Sequence, residues 1–539
     1  MPTVSGPAIL SRFDPGGGNV ALVGIGQGIE ARLLIERLDR NRAVFALEQD
    51  PTPLWLVLHV HDFAAAMEQG RLVPIMGEDP GEALVRFLRD HEGYLAPERM
   101  LSWPWFEPQE LGERTLLLQR ALAQTNRHRS EAMMALTEEL NRKWLRGRAI
   151  PERPRTLLVC PHAGGEPHLL AGQVLSGLTE LGWAADAWFA DSPRTVHPLA
   201  LGRRIAEFQP DLVIAVDGVR AGLGHVLPAG LSLASWMTPS ARPSPNQVQG
   251  IGPHDRIFCM TGRVMKDLVA CGAETDRVRW LPPAVHCVAP PSREDDRMRP
   301  YDIAALANAS PLAPEANGLT LESHCAAWRE AERVIRQQAE RYTDDHVEHV
   351  LRAAEATTGA RFTEAAWRRA LCDQINAVLG RTLVSLAVFE AVLRSGLKLA
   401  LWGRGWEQYP GLSGAWQGPI PNQGGFDVCR RAKLVLHVDV TGNLTMPLLS
   451  AAAAGAVVLA RHHPTDQEPT GLSSLLTPGH DVLTFLRYSE LIGHAKRLLS
   501  DEAARRSIAD RARTVLTERH LMRHRLTTLR TLVAEAREV

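Results

Sequence analysis

One apolar stretch, residues 435–460, constrains the fold of this chain more than any other part of its sequence. Residues 435–440 are apolar and rich in valine, which predicts a buried parallel strand. Pro447 predicts the start of a helix, because the first helical turn needs no amide donor there, and residues 457–460 predict the next strand. Ligands on open α/β sheets bind where strand ends lead into helices, so the loop 441–446 is a predicted ligand floor. The alternative is an ordinary buried βαβ unit without a ligand.

Short apolar strands alternate with helices in two earlier parts of the chain, which predicts parallel sheets there as well. We therefore predict an α/β fold class with three Rossmann-like domains: 1–150 with a helical connector, 151–298, and 299–539. Residues 313–380 carry charges at helical spacing beside an apolar stripe. This pattern predicts a helical insertion packed on the last sheet, with binding of a protein partner as the alternative. Residues 501–538 are predicted as one C-terminal helix.

A glycine-rich turn follows the first predicted strand and contains Gly24, Gly26 and Gly28. The second strand ends at Glu48, where a carboxylate can take ribose hydroxyls. The GxGxG spacing favours S-adenosylmethionine over NAD, although the acid that methyltransferases carry two residues before the first glycine is Leu22 here. A nucleotide-like ligand and a retained scaffold without a ligand both remain open.

Two further expectations concern the first domain. Residues 55–60 are predicted as a strand, which would place His59 and His61 on one face. With no third ligand nearby in the sequence, a structural role for them is favoured over a metal site. The proline- and tryptophan-rich segment 94–108 is predicted as a loop, and 110–146 as a packed connector helix.

The composition excludes several classes of function. Sixty basic and sixty-one acidic residues leave a net charge of -1, which argues against a nucleic-acid partner. The 7 cysteines contain no CxxC pair, which predicts reduced thiols in a cytoplasmic protein and no zinc site. The longest apolar run, 446–460, is too short for a bilayer, so no integral membrane segment is expected.

Two polar residues at predicted strand ends are candidates for acid–base chemistry in the second domain. His162 lies in the turn after the strand 156–160, and Asp217 follows the strand 212–216. Either side chain could act as a general base on an acceptor hydroxyl. The alternatives are a surface histidine in a tight turn and a substrate-binding role for the aspartate.

In the third domain, Asn308 lies in the loop after the first predicted strand. Another strand ends at Gly403, Arg404 and Gly405. Glycines beside an arginine suit close approach to a phosphate, to which the guanidinium offers paired donors. The alternative is a tight turn with an exposed arginine.

Several motifs resemble known glycosyltransferase families. YDIAALANAS, RTLVSLAVFEAVLRSGLKLALWGRGW, RRAKLVLHVDV and MPLLSAAAAGAVVLA resemble the CgeB-like glycosyltransferases of the group 1 type, over about residues 155–530. VGIGQGIE, FALEQDP and RLVPIMGED resemble the N-terminal part of the Maf-type flagellin glycosyltransferases. The resemblance implies that the last two domains form a GT-B fold. It also implies metal-independent transfer of a sugar from a nucleotide-sugar donor to an acceptor hydroxyl on a protein, such as flagellin, or on a surface glycan.

The resemblance also implies a donor site on the third sheet, with one departure from the family pattern. The expected donor-binding residues are Asn308, Gly403, Arg404, Gly405, Thr441, Gly442, Asn443, Thr445 and Met446. Group 1 enzymes that retain stereochemistry usually carry two glutamates eight residues apart, and the matching positions here are Gly442 and Ser450. Two alternatives follow: a bifunctional protein whose first domain binds S-adenosylmethionine, and a catalytically degenerate scaffold.

Overall fold

A computed structural model describes residues 18–102, 108–145, 149–162, 164–289, 299–421 and 425–538. The described residues form two compact units. The first contains those up to Cys259 together with 263–281 and 526–538. The second contains 260–262 and the described part of 282–525. The first unit holds two parallel sheets and the second unit holds a third.

Every strand pairing in the three sheets is parallel among the described residues. The strand orders are β3-β2-β1-β4, β10-β9-β8-β7-β5-β6 and β13-β12-β11-β14-β15-β16. The strands are β1 Asn19–Val23, β2 Val44–Glu48, β3 Leu72–Met76, β4 Pro97–Ser102, β5 Thr156–Cys160, β6 Ala185–Phe189, β7 Leu212–Val216, β8 Ser232–Met237, β9 Arg256–Cys259, β10 Val278–Trp280, β11 Tyr301–Leu306, β12 Leu399–Trp402, β13 Trp416–Gly418, β14 Ala432–His437, β15 Val457–Arg461 and β16 Leu483–Phe485. The predicted α/β fold class with three Rossmann-like sheets is confirmed.

Helices connect the strands, as parallel pairing requires. They are α1 Ile29–Arg37, α2 Pro51–Val60, α3 Ala64–Glu68, α4 Pro80–Asp90, α5 Pro108–Lys143, α6 Gly165–Glu180, α7 Pro198–Phe208, α8 Pro245–Val248, α9 Gly262–Ala270, α10 Glu322–Gln338, α11 Val347–Thr358, α12 Ala365–Gln374, α13 Arg381–Arg394, α14 Gly425–Arg430, α15 Met446–Ala453, α16 Tyr488–Ser500, α17 Glu502–Arg519 and α18 Met522–Glu538. A π-helical turn, Ile375–Gly380, joins α12 to α13.

The long connector helix α5 is part of the hydrophobic core beneath the second sheet. Leu136, Leu140 and Trp144 lie at its C-terminal end and are buried. They pack in one cluster with residues of β5, β7 and β8, such as Leu157 and Val213. The C-terminal end of the connector is therefore packed as predicted, whereas Leu116 and Leu117 nearer its start are half-exposed.

Two predictions for the first domain are wrong. Residues 55–60 belong to helix α2, because the Asp50 side chain accepts a hydrogen bond from Thr52 N (2.9 Å) and Pro51 occupies the first helical turn. His59 and His61 therefore do not share a strand face.

The predicted loop 94–108 contains β4, which pairs with β1 and has Pro97 as its first residue. Proline is tolerated at that position of a strand, so the sequence signal for a loop was misleading. Residues 103–107 of this segment lie outside the described part of the chain.

Two predicted elements of the third domain end elsewhere. Strand β14 stops at His437 rather than at residue 440, because Val440 is buried in the core of the helical insertion and its carbonyl accepts a hydrogen bond from Asp344 N (2.9 Å). The predicted C-terminal helix is split into α17 and α18. At the break, His520 O and Met522 N exchange hydrogen bonds of 3.0 and 2.8 Å with the backbone of Val285.

The predicted helical insertion is present as α10, α11 and α12, and it has its own core. Trp328, Ala331 and Leu351 are among its buried residues. Within the described residues, 365–394 is the one helical stretch whose length and composition would suit a membrane span. Of its most apolar window, 72% is buried inside the protein. Packing against the insertion core and the third sheet accounts for that apolar character.

Candidate functional site

The carboxyl ends of β11, β12, β14 and β15 meet at one edge of the third sheet, because these strands are parallel neighbours. The loops that follow them contain the donor-binding residues predicted from the sequence, except Met446, which is the first residue of α15. At this edge Arg404 N donates a hydrogen bond to Asn308 Oδ1 (2.9 Å), and Ala309 N donates to Arg404 O (2.9 Å). The Arg404 side chain is exposed. The loops after β11 and β12 are thus joined, and the guanidinium extends from their junction.

Gly403 and Gly405 are required by this junction. Both have positive φ, 145° and 86°. A Cβ on Gly403 would collide with the carbonyl oxygen of Ala307, and one on Gly405 with that of Ala309. Glycine is therefore required at both positions because the loop after β12 packs closely against the loop after β11. Between them, the side chain of Arg404 is available to a phosphate.

The loop after β14 satisfies much of its own hydrogen bonding. Asp439 Oδ1 accepts from Thr441 N (2.8 Å) and from Thr441 Oγ1 (2.7 Å). Asn443 N donates to Asp466 Oδ1 (3.4 Å), and Thr445 N donates to Asn443 O (2.8 Å). Three amides of the predicted ligand floor, those of Thr441, Asn443 and Thr445, are thus engaged inside the protein. In this arrangement they do not donate to a ligand.

The helix that follows the loop begins as predicted near Pro447. Thr445 is its N-cap, and its hydroxyl oxygen accepts a hydrogen bond from Leu448 N (3.4 Å). Met446 is the first residue of α15 and is buried. The position matched to a family glutamate, Gly442, has a φ of 126°. An added Cβ there would lie 3.1 Å from Thr465 Oγ1, which is a tight contact, and the positive φ would strain any residue other than glycine.

Three residues of this edge were missed by the sequence analysis: Arg381, His437 and Asp439. Arg381 is the first residue of α13, and its guanidinium lies 4.0 Å from the Asp439 carboxylate. His437 Nε2 lies 3.2 Å from Thr445 Oγ1. An Asp-x-Thr pattern after an apolar strand was the available signal for the turn at Asp439. No signal pointed to Arg381, because the insertion separates it from the loop after β11.

The pKa values of this group reflect burial and mutual attraction. Burial lowers the pKa of His437, which disfavours the protonated imidazole. Burial alone would raise the pKa of Asp439, but Arg381, His437 and the two Thr441 donors together lower it. The edge of the third sheet therefore presents an ionised carboxylate beside a half-exposed guanidinium.

The second sheet brings the predicted acid–base candidates together. Asp217 follows β7 with a φ of 51°, and His162 follows β5. The His162 Nε2–H donates to the Asp217 carbonyl oxygen (3.1 Å). The Asp217 carboxylate accepts from Thr238 N and Thr238 Oγ1, both at 2.6 Å. Burial raises the pKa of Asp217, and the Thr238 donors oppose that effect. A carboxyl with a raised pKa at a strand end is suited to proton transfer.

The first sheet brings its predicted ligand residues together at the ends of β1 and β2. Gly24, Gly26 and Gly28 have φ values of 78°, 56° and 80°, as a tight glycine turn requires. The Glu48 carboxylate accepts a hydrogen bond from the Ile25 amide within that turn. Glu48 thus braces the loop from inside the domain.

Among the described residues, no three or more His, Cys, Asp or Glu side chains lie together in a cluster that could hold a metal ion. Among the described residues, Arg381 and Arg404 present guanidinium groups at the third-sheet edge, and Arg461 at the end of β15 is buried there.

A protein-family comparison finds a glycosyltransferase-like match that includes this edge of the third sheet. Residues 381–531 match a family model described as "Glycosyl transferase-like". The match begins at Arg381 and includes Arg404, Asp439 and the loop 441–446. It supports the resemblance to group 1 glycosyltransferases, whereas the narrower resemblances to CgeB-like and Maf-type proteins stay predictions.

Solved glycosyltransferase structures are similar to this chain at low identity. HepE from Anabaena, solved with UDP and glucose, has a TM-score of 0.40 and 10% identity, covering 71% of this chain and 99% of its own. A glycosyltransferase from Rickettsia africae has a TM-score of 0.40 and 8% identity, with coverages of 71% and 98%. WaaG, a glycosyltransferase involved in lipopolysaccharide biosynthesis, has a TM-score of 0.38 and 11% identity, with coverages of 70% and 99%. A comparison with curated proteins finds no match.

Proposed function

We propose that this protein is a glycosyltransferase that moves a sugar from a nucleotide-sugar donor to an acceptor hydroxyl. The observation that carries the proposal is the coincidence of the family match, residues 381–531, with the edge of the third sheet. The two guanidinium groups at that edge, those of Arg381 and Arg404, are the donors that a diphosphate needs.

The donor side works through charge at the leaving group. When the bond between sugar and phosphate breaks, negative charge grows on the diphosphate, and fixed cations stabilise it. The Arg381 guanidinium lies 4.0 Å from the Asp439 carboxylate. The backbone of Arg404 is held by the hydrogen bond from its amide to Asn308, and its side chain is exposed. This assignment needs no metal ion, and chelation with EDTA is expected to leave transfer unchanged.

Asp217 is the proposed general base for the acceptor hydroxyl. Its raised pKa moves the carboxyl toward the operating range of a base, and Thr238 fixes the orientation of both oxygens. His162 supports the same turn through the Asp217 carbonyl. The acceptor, on a protein or on a surface glycan, and the cytoplasmic location remain predictions from the sequence.

A thermal-shift panel tests the donor assignment. The full-length protein is heated with UDP-, GDP-, ADP- and CMP-linked sugars. We expect at least one to stabilise it, by about 2.7 kcal/mol at a hundredfold excess over Kd. Arg381→Ala and Arg404→Ala should each lower the affinity for that donor by roughly tenfold or more, because a charge-assisted hydrogen bond is lost. Arg394→Ala, an exposed arginine at the other end of α13, should not.

A catalytically degenerate scaffold is the second candidate, and one observation favours it. Gly442 and Ser450 stand where the family carries glutamates, and the φ of 126° at Gly442 would strain any residue other than glycine. A scaffold would show no stabilisation by any donor in the panel and no release of nucleoside diphosphate. That result would contradict the proposed glycosyl transfer.

A further inference from the structure

A chain of three side chains links the helical insertion to the third-sheet edge. Asp344 Oδ1 lies 3.1 Å from His463 Nε2, and His463 Nδ1 lies 2.7 Å from Thr465 Oγ1. His463 is 1% exposed, so the imidazole is sealed between its two partners. Thr465 is partly exposed. The chain therefore runs from the protein interior to an accessible hydroxyl.

The backbone fixes the direction of these hydrogen bonds. Thr465 N donates to His463 Nδ1 (3.2 Å), so Nδ1 is an acceptor and the ring proton lies on Nε2. The Nε2–H then donates to Asp344, and the Thr465 hydroxyl donates to Nδ1. With its proton engaged, the hydroxyl oxygen of Thr465 offers lone pairs outward. It is set to accept a hydrogen bond from a hydroxyl group of a ligand.

Gly442 leaves that oxygen uncovered. A Cβ at Gly442 would lie 3.1 Å from Thr465 Oγ1 and 3.9 Å from His463 Nδ1. Glycine at this position therefore keeps open the space in front of the hydroxyl, within the loop that the family match includes.

The insertion holds both loops around this space. Arg461, at the end of β15, donates to the carbonyls of Glu340 (3.1 Å) and Tyr342 (2.6 Å). Asp344 N donates to Val440 O in the loop after β14 (2.9 Å). The end of α10 and the turn after it thus fasten the loops that carry Gly442 and Thr465.

We propose that Thr465 recognises a ligand hydroxyl at the third-sheet edge, with His463 and Asp344 as positioning residues. This inference rests on the proposed function, in which the ligand is a nucleotide sugar. The hydroxyl belongs to the sugar or to the ribose of the donor. The helical insertion is on this account a part of the donor site, through Asp344.

Affinity measurements with three variants test the hydroxyl. The donor that stabilises the wild type in the panel is titrated by calorimetry. Thr465→Val keeps the shape and should weaken binding roughly three- to tenfold, the range for one neutral hydrogen bond. Thr465→Ser restores a hydroxyl and should bind as the wild type does. Thr357→Val removes an exposed hydroxyl on α11 and is the matched control.

The positioning role of Asp344 is tested by coupling. Asp344→Ala should weaken donor binding, and Asp344→Asn should restore it, because the amide oxygen still accepts from Nε2–H. In the Thr465→Val background, Asp344→Ala should weaken binding no further. A purely structural role predicts instead that the two losses add. Thermal unfolding without ligand identifies any variant that fails to fold.

The two sources of the hydroxyl are separated by nucleoside diphosphates. If Thr465→Val lowers the affinity for the nucleotide sugar and leaves the affinity for the nucleoside diphosphate unchanged, the hydroxyl is on the sugar. If it weakens both, and a deoxyribose analogue binds wild type and variant alike, the hydroxyl is on the ribose. If the wild type binds a donor and Thr465→Val binds every tested ligand with the same affinity, this inference is overturned while the proposed function stands. If the wild type binds no donor, both fall together.

Discussion

Asp217 follows the last residue of β7, and its carboxylate accepts two 2.6 Å hydrogen bonds from Thr238. His162 and Arg242 interact with its charge and stabilise the ionised form. The thiols of Cys160 and Cys259 also lie near it, and burial together with this carboxylate raises their pKa values. Burial outweighs the favourable contacts, so the pKa of Asp217 lies above its ordinary value of 3.8. A carboxyl in this state costs stability when ionised.

The expected consequence is a pH-dependent effect of Asp217→Asn. Because the folded-state pKa of Asp217 is raised, its contribution to stability is fully present below pH 3.8 and is lost as pH rises through the folded value. The asparagine variant does not titrate there. Its melting temperature relative to wild type should therefore increase from about pH 3 to pH 7. Calorimetry across that range checks the sign, and a difference that falls with pH would contradict it.

The same substitution bears on the chemistry. If Asp217 is the base, Asp217→Asn should lower the rate of transfer by about 10²–10⁴-fold. Donor affinity should be unchanged, because the residue is assigned to the acceptor. A variant that transfers at the wild-type rate would remove Asp217 from the proposed mechanism.

At the scale of elements, the connector helix α5 begins in the first domain and ends in the core of the second sheet. Trp144 is 1% exposed and packs in that core, whereas its neighbour Leu145 is 80% exposed. The stability of the second sheet therefore depends on a helix that the sequence assigns to the first domain.

Trp144→Ala should destabilise the first compact unit by about 3–5 kcal/mol, the range for deleting a buried tryptophan. Leu145→Ala is the matched control and should stay within about 0.5 kcal/mol of wild type. Chemical denaturation followed by fluorescence measures both. Equal small effects would show that the end of α5 does not support the second sheet.

Elements were predictable from the sequence where local pattern and packing agree. The strands 156–160 and 212–216 have the predicted bounds, because continuous apolar runs suit a strand buried on both faces. The strand predicted at residues 55–60 is part of helix α2, which begins at Pro51 with Asp50 as its N-cap. It also placed the end of β14 too late, because the insertion core competes for Val440.

For the whole molecule, the repeated alternation of strands and helices predicts three parallel sheets, and the polar residues after the strands predict where a site lies. The full site was not predictable, because it is assembled from distant segments. The insertion supplies Asp344, which contacts His463 beside Gly442. Arg381, which follows the insertion in the sequence, lies near Asp439. No local spacing encodes contacts of that kind.

The central claim is that the edge of the third sheet binds a nucleotide sugar. Hydrogen–deuterium exchange of the full-length protein, with and without the most stabilising donor of the panel, tests it most directly. We predict slower exchange in the loops 403–405, 438–446 and 461–466, where the donor would cover backbone amides. Protection confined to residues 18–102, or no change with any donor, would contradict the account.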